Sequence, residues 1–344
     1  MLVIRNDTPF EPMIAVFPDI EGVDTVHAFV QATFALHGSK LDVAEQQVPV
    51  PLADEYRGTP ARSSILRAGE LHIGKSSTDV VMVGDAWATP GYPVAEMDVE
   101  LAVGPVRKFV RVFGDREWHG ISGHGISHPV PFERMPLVYE RAFGGILEID
   151  REGKPTRIDG RNPIGVGPAR LGHGGEATLR RLPNLEDPFH LIQSPSDEPV
   201  PACFGFVAPS WEPRRFFAGT YDEAWVTTRA PFLPHDFDYR FLNVAPPGLV
   251  CRTFLEGGES VHVRGASPTG PIHARLPRCE IDVSVRISRK THPVQMRMQT
   301  VLIEPNENRI GLSFHGAFRC DKRVLEVEEI RFAMRAIDID TRAA

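Results

Sequence analysis

Regular alternation of apolar and polar residues restricts the fold of this chain more than any other feature. Apolar residues take every second position in residues 30–36, 97–103 and 281–287. This spacing places the apolar side chains on one face of an extended strand, the pattern of a half-buried β-strand. Residues 80–83 form an unbroken apolar run instead, which predicts a central strand with both faces covered. The chain is therefore expected to be built mainly from β-sheets.

Turn-forming residues support the same fold class. The chain contains 31 prolines and 30 glycines, which favours many turns and few long helices. Gly104 and Pro105 separate two strand-like segments and predict a hairpin between them. We predict a mainly β protein with β-sandwich-like sheets, long ordered loops and one or two short helices.

Two segments raise the question of helix or strand. Residues 136–143 are the main helix candidate, because proline suits the first helical position and Gly144 suits the position after the last turn. Residues 324–337 carry apolar residues at both helical and strand spacing, and we favour a strand.

The organisation along the chain predicts a single unit over residues 1–344. Its first part, residues 1–115, is rich in strands. Residues 116–250 form a loop-rich region with frequent glycine and proline, and residues 251–344 are again rich in strands. Ordered loops of this length in a compact protein are usually functional or cover a sheet.

Charge and cysteine content limit the function classes. The formal net charge is −7, which argues against a general binder of nucleic acid or of anionic membranes. Four widely spaced cysteines suggest reduced thiols in the cytoplasm. The sequence predicts no signal peptide and no membrane span.

Residues 218–246, here named the aromatic belt, contain the densest group of aromatic side chains in the chain. Six rings are interleaved with acidic residues and arginines. Because unpaired charge is costly to bury, these charged groups are expected to pair with one another. Pro231 and Pro234 disfavour helix at the residues before them, so the belt is expected to be ordered and non-helical.

The belt also carries a family resemblance. Its pattern A-G-T-Y-D-x-x-W, followed by R-x-P-x-L-P-x-D-F-D-x-R-F-x-N-x-A-P, resembles a bacterial domain-of-unknown-function family encoded beside type VI secretion genes. Residues 131–145, 161–167 and 182–186 fit the same family. The resemblance implies an adaptor or chaperone that helps to load toxic effectors onto the secreted trimeric spike protein and its PAAR tip. The signature residues it marks for partner binding or for holding the fold are Tyr221, Asp222, Trp225, Arg229, Asp236, Asp238, Arg240 and Asn243.

The resemblance therefore predicts a non-enzymatic cytoplasmic protein. Its expected partners are an effector protein, a PAAR-tip protein or the trimeric spike protein. We expect no catalytic residue, no cofactor, no metal, and neither nucleic acid nor membrane as a partner. Large rings and arginines are the residues enriched at interface hot spots, which is consistent with binding by shape. A secreted effector domain that travels with the spike is a further hypothesis that the sequence leaves open.

The main rival is a metal-dependent β-rich hydrolase or lyase. Asp222, Asp236 and Asp238 could bind Mg²⁺ or Ca²⁺, or act as an acid/base pair. The alternative is structural: Asp222 caps a turn, and arginines neutralise the other two carboxylates.

Two other motifs suggest ligands. Residues 69–76 match the phosphate-binding pattern G-x-x-x-x-G-K-[ST], but no helix is predicted after them, so a turn between strands is expected. His119, His124 and His128 could ligate zinc, although their spacing matches no standard module and loop histidines are the simpler interpretation. The glycine-rich residues 161–167 and 172–175 lack the strand-to-helix frame of a dinucleotide site, and we expect Arg161 and Asn162 to fasten the first of these loops through hydrogen bonds.

Overall fold

The computed structural model describes residues 2–38, 40–119, 125–171 and 180–339. The strands before residue 120 are β1 (Val3–Asp7), β2 (Glu11–Pro18), β3 (Asp24–His37), β4 (Lys40–Val43), β5 (Glu55–Tyr56), β6 (Ile65–Arg67), β7 (Asp79–Met82), β8 (Asp85–Trp87), β9 (Glu96–Val103), β10 (Val106–Phe113) and β11 (Trp118–His119). Short strands follow in the loop-rich part: β12 (Gly125–Ile126), β13 (Arg134–Pro136), β14 (Ile146–Ile149), β15 (Pro155–Ile158), β16 (Arg170–Leu171) and β17 (Leu185–Glu186). The last strands are β18 (Ser260–Arg264), β19 (Ile272–Arg275), β20 (Arg278–Ile287), β21 (Lys290–Val294), β22 (Arg297–Glu304), β23 (Arg309–Arg319) and β24 (Val327–Asp338).

Helices are few and short among the described residues. One α-helix is present, α1 (Glu223–Thr228). The 3₁₀ helices are η1 (Tyr139–Arg141), η2 (Arg214–Phe217), η3 (Tyr239–Leu242), η4 (Pro305–Glu307) and η5 (Asp321–Glu326). The prediction of a mainly β protein with several sheets and long loops is confirmed.

A six-stranded sheet joins the two ends of the chain. Its order is β2-β3-β23-β22-β7, with β4 also paired to β3. The β3 and β23 strands pair antiparallel along the whole of β23, from Thr25 opposite Arg319 to Ala35 opposite Arg309. Almost every residue of β3 is buried, so both of its faces are covered rather than one. The polar residues of this strand therefore have to find partners inside the protein.

The β7 strand corrects one prediction. Residues 80–83 were expected to form a central strand, but β7 is the last strand of its sheet and, among the described strands, pairs with β22, in parallel. Its outer edge is covered by loop segments instead, because Val80 N donates to Leu249 O (3.0 Å) and Met82 N donates to Phe204 O (3.1 Å). All residues of the strand are buried, which explains the unbroken apolar run.

Two further sheets contain the remaining long strands. The five-stranded sheet has the order β17-β10-β9-β18-β19, and the four-stranded sheet has the order β1-β24-β20-β21. The predicted hairpin is confirmed as β9 and β10, with Gly104 at φ +50° in the turn. The strand predicted for residues 324–337 is confirmed from Val327 onward, whereas the residues before it belong to η5.

The helix predicted for residues 136–143 is wrong. Pro136 ends β13, η1 spans only three residues, and Ala142 is already extended. The local proline and glycine signals are overridden by tertiary hydrogen bonds, because Asn162 Nδ2 donates to the carbonyls of Tyr139 (2.8 Å) and Phe143 (2.9 Å). Arg161 also bonds Asp159 through Nε (2.8 Å), so the prediction that residues 161 and 162 fasten this loop is confirmed.

A single large cluster of buried side chains takes members from the six-, five- and four-stranded sheets. A smaller cluster lies under the loop-rich part and contains Trp118, Phe143, Leu147, Leu182 and Ile192. Within the described ranges, no helix has the length and apolar character needed to cross a membrane.

Candidate functional site

The aromatic belt is fastened to the turn between β2 and β3. Arg229 donates through Nε to Leu233 O (2.8 Å) and through Nη2 to Ile20 O in that turn. The Phe232 ring lies against Gly22, 3.3 Å from the position that a Cβ there would occupy. These contacts hold the tip of the belt on the six-stranded sheet, and Arg229 acts through backbone carbonyls rather than through the expected carboxylates.

The prolines of the belt predicted a segment without helix. This prediction is wrong, because the belt contains α1. Asp222 is the N-cap of α1, and its Oδ1 accepts a hydrogen bond from Trp225 N at 2.8 Å. This is the standard role of an aspartate at a helix start. Trp225 Nε1 donates to Phe232 O (2.9 Å), which ties the helix to the extended residues after it.

The other two carboxylates of the belt also have local partners. Asp236 accepts from Thr220 N (3.0 Å) and Thr220 Oγ1 (2.7 Å), and these bonds lower its pKa. Asp238 caps η3 and binds the Arg240 side chain through Nε at 2.8 Å, and this bond lowers its pKa. Pairing with arginine was thus expected correctly for Asp238, whereas Asp236 binds a threonine.

The structure gives the candidate metal sites little support. Within the described ranges, no group of three or more histidine, cysteine, aspartate or glutamate side chains is placed to hold a metal ion. His119 and His128 are exposed, and His124 lies outside the described residues. The glycine-rich residues 172–175 also lie outside them.

Several large side chains of and beside the belt remain at the surface. Phe216 is 65% exposed, Tyr221 53% and Val226 60%. Tyr221 packs edge to face on Trp225, with ring centroids 4.8 Å apart. Exposed rings in an ordered segment are the kind of residue on which a protein partner is anchored.

A cleft of about 400 Å³ opens between η2, η3 and the segments before and after them. Its walls are largely apolar, and its lining includes Val207, Pro213, Phe217, Ala245, Pro247 and Val250. The volume is in the range of pockets that accept a small ligand or an anchoring side chain. The cleft is built largely by the belt and the residues next to it.

Three arginines line this cleft. Arg214 is buried and donates to Val207 O (2.6 Å) and Phe241 O (2.9 Å), and burial lowers its pKa. Arg240 is exposed, pairs with Asp238 and stacks over the Phe217 ring with its guanidinium carbon 4.2 Å from the centroid. Arg252 is exposed and has no ion pair with another described residue. In a chain with a net charge of −7, this is a local cationic site with apolar walls.

Asn243 connects the cleft with the interior. It lines the cleft, yet its side chain is buried, and its Nδ2 donates to Asp79 Oδ1 at 3.0 Å. Its Oδ1 accepts from Ser76 Oγ at 2.8 Å. Asn243 is therefore a structural residue of the cleft floor.

Asn243 is the outermost member of what we name the buried polar chain, which continues inward through Asp79, Lys75, Thr300, Glu70 and His72. Lys75 Nζ lies 2.9 Å from Asp79 Oδ2 and 2.6 Å from Thr300 Oγ1. Thr300 Oγ1 is in turn 2.7 Å from Glu70 Oε1. Lys75 belongs to residues 69–76, which match the phosphate-loop pattern, but its ammonium is bound by internal partners. The strand β7 follows these residues, where a phosphate-binding loop would need a helix.

Glu70 and His72 form the inner end of the buried polar chain. His72 Nδ1 accepts from Gly74 N (3.1 Å), so the neutral ring carries its proton on Nε2, 3.2 Å from Glu70 Oε2. Burial alone would raise the pKa of Glu70, but the charge of Lys75 and the bond with His72 outweigh it and hold the pKa at about 2. Burial lowers the pKa of His72, which is consistent with a neutral ring.

Two further buried histidines, His27 and His315, lie beside His72. His27 Nδ1 and His315 Nε2 are 3.0 Å apart, and the centroids of the His72 and His315 rings are 5.7 Å apart. Burial lowers the pKa of His27 to about 4 and, with the neighbouring rings, the pKa of His315 to about 2. All three rings are therefore neutral at pH 7.

The structure brings the signature residues together in one segment, but with different tasks. The residues that hold the belt by bonds within it are Asp222, Trp225, Asp236, Asp238 and Arg240. Arg229 also fastens it to the turn between β2 and β3, Tyr221 is exposed, and Asn243 joins the core. Sequence reasoning missed Arg214 and Arg252 at the cleft, and it missed Asp79 below it. The only signal for the buried chain was the lysine of the false phosphate-loop pattern.

The comparisons with known proteins assign the chain to a family but not to a function. A family model described as "Uncharacterized protein conserved in bacteria (DUF2169)" matches residues 21–315, and the chain belongs to this family. The matched range contains the belt, the cleft and the buried polar chain. A search of the curated proteins found no match, and neither did a search of the solved structures.

Proposed function

We propose that this protein is a type VI secretion adaptor or chaperone that works in the cytoplasm. It binds an effector, or the PAAR-bearing segment of one, and hands it to the trimeric spike protein. The observation that carries this proposal is the belt itself. Most of its signature residues fix, through hydrogen bonds and ion pairs, a segment that presents exposed rings and lines a cleft with arginines.

The chemistry of the cleft defines what the client offers. Apolar walls accept an aliphatic or aromatic side chain, and the guanidinium group of Arg252 attracts a carboxylate. The bound part of the client is therefore an extended segment with an acidic group next to an apolar side chain. The exposed rings of Phe216 and Tyr221 extend the contact beyond the cleft.

Co-purification tests binding. The tagged protein is expressed together with the products of its neighbouring genes, and the proteins that elute with it in size exclusion are identified. A stable complex with an effector or PAAR protein is expected. Arg252→Glu should weaken that complex at least about tenfold, because like charges then face each other. Arg151→Glu, at the turn between β14 and β15 and outside the cleft lining, is the matched control and should bind normally.

Deletion of the gene tests the role in secretion. Without the protein, secretion of the effector should be lost while the secretion machinery still fires. Normal effector export in the deletion strain would refute the adaptor function, whereas a complex that forms equally well with Arg252→Glu would rule out the cleft as its binding site.

The rival function, a metal-dependent hydrolase or lyase using Asp222, Asp236 and Asp238, has no specific observation in its favour. Each of the three carboxylates is engaged by a different partner within the belt. Stoichiometric Mg²⁺ or Ca²⁺ bound by purified protein, and lost in Asp236→Asn, would bring this function forward.

A further inference from the structure

Two histidines face each other on the solvent side of the five-stranded sheet. His262 on β18 and His273 on β19 are direct partners in the antiparallel register. Their Nδ1 atoms are 3.1 Å apart, and the ring centroids are 4.5 Å apart. Buried neighbours fix the backbone beneath them, since Val261, Val263 and Ile272 belong to the core.

The distance between the two nitrogens fits a shared metal ion. With metal–nitrogen bonds of about 2.0–2.1 Å, two ligands of one ion lie about 2.9 Å apart at a right angle and about 3.3 Å apart at a tetrahedral angle. The observed 3.1 Å lies between these values. The separation of the two nitrogens therefore matches that of two ligands of one zinc, nickel or copper ion.

A carboxylate stands on the far side of one ring. Glu100 on β9 is buried, and its Oε2 lies 3.6 Å from His262 Nε2. Metal-bound histidines usually direct their second nitrogen at a carboxylate, which fixes the tautomer that leaves the first nitrogen free to bind the ion. Arg107 (3.2 Å) and Arg264 (3.6 Å) hold the Glu100 carboxylate in place.

We propose that His262 and His273 form a two-histidine site for a divalent transition-metal ion, with Glu100 as the positioning residue. Imidazole suits Zn²⁺, Ni²⁺ and Cu²⁺, whereas Mg²⁺ and Ca²⁺ prefer oxygen ligands. Two protein ligands leave coordination positions for water or for a side chain of a bound protein. The site is independent of the adaptor proposal, because its residues do not belong to the belt or to the cleft lining.

Titration of the tag-free full-length protein with Zn²⁺, Ni²⁺ and Cu²⁺ tests the site. One ion per chain is expected, with affinity reduced more than about tenfold in His262→Gln and in His273→Gln. His190→Gln is the matched control, since His190 is exposed and lies beside Asp187 elsewhere, and its binding should be unchanged. Equal affinity of the wild type and the double variant His262→Gln/His273→Gln would overturn the proposal, as would the absence of saturable binding.

The role of Glu100 needs a readout other than stability. Glu100→Gln should lower the affinity for the metal ion about 10–100-fold. The electron paramagnetic resonance spectrum of bound Cu²⁺ should still show two imidazole nitrogens. In His273→Gln the spectrum should show one. A Glu100→Gln protein with unchanged affinity would remove Glu100 from the site, and a wild-type spectrum without two equivalent nitrogens would overturn the proposal as a whole.

Discussion

The buried polar chain and the aromatic belt contain the same kinds of residues in opposite surroundings. In the buried polar chain, the side chains of Lys75 and Asp79 are 1% and 0% exposed, and they are partnered by protein groups. In the belt, the side chains of Arg240 and Asp238 are 62% and 36% exposed, so water can replace either partner. An exposed ion pair contributes little to stability, whereas breaking a buried one leaves an uncompensated charge. Conspicuous charged residues in a signature are therefore a poor guide to what stabilises the fold.

The largest effect is expected from Asp79→Ala. This change removes the carboxylate nearest to the buried Lys75 ammonium and leaves Glu70, 3.9 Å away, so we expect a loss of about 3–5 kcal/mol of unfolding free energy in urea titrations. Asp238→Ala is the matched control in the exposed pair and should cost at most about 1 kcal/mol.

A triple variant keeps this test informative if Asp79→Ala does not fold. Lys75→Met combined with Asp79→Leu and Glu70→Gln removes the ammonium and both carboxylates near it, since Glu70 Oε1 lies 3.9 Å from Lys75 Nζ, and should be clearly more stable than Asp79→Ala alone. Equal losses of unfolding free energy for Asp79→Ala and Asp238→Ala would contradict the difference that we infer between the buried and the exposed ion pair.

The second effect is a loss of stability in mild acid. The pKa values of His27 and His315 are lowered in the folded protein, to about 4 and about 2. Between pH 6.5 and those values the unfolded chain binds protons that the folded protein does not, so stability falls as the pH falls. We expect a loss of about 3 kcal/mol between pH 7 and pH 5.

The variant His315→Gln should make this acid dependence shallower, whereas the exposed control His190→Gln should leave it unchanged. A further loss begins near pH 4.5, because Glu70 has a lowered pKa of about 2 and its contribution disappears as the pH falls toward that value. A stability that does not change between pH 7 and pH 5 would show that these rings are not held neutral.

The smallest effect is expected at the start of α1. Asp222→Ala removes the N-cap bond to Trp225 N and should weaken the helix locally by about 1 kcal/mol. Amide exchange of Trp225 and Val226 should then become about fivefold faster, with little change in global unfolding. Asp222→Asn keeps a capping oxygen and should exchange like the wild type, and faster exchange in both variants would argue against a capping role.

The strands were predictable because their signal is local. Period-two alternation located β3, β9 and β20, and Gly104 with Pro105 located the hairpin. The helix at residues 136–143 was predicted wrongly because Asn162, distant in sequence, takes the carbonyls that a helix would use. Local start and stop signals describe only what a segment prefers in isolation.

The candidate site was predictable only in part. The signature located the belt. Asp222 was considered as the cap of a turn, and it caps the start of the helix α1 instead. The buried polar chain was not predictable, because its contacts join distant segments: Thr300 and Glu70 are 230 positions apart. The same holds for Arg214 and Arg252, which become neighbours of the signature residues only when the cleft is formed.

The pairing of β3 with β23 has a consequence for how the protein is made. His27 and His315 touch although they are separated by 288 positions. At a synthesis rate of about 5–20 residues per second, β3 waits roughly 15–60 s on the ribosome before its partner strand exists. During this time an apolar strand with an open edge is exposed to other nascent chains. A protein proposed to keep clients soluble thus passes through a stage in which it needs the same protection itself.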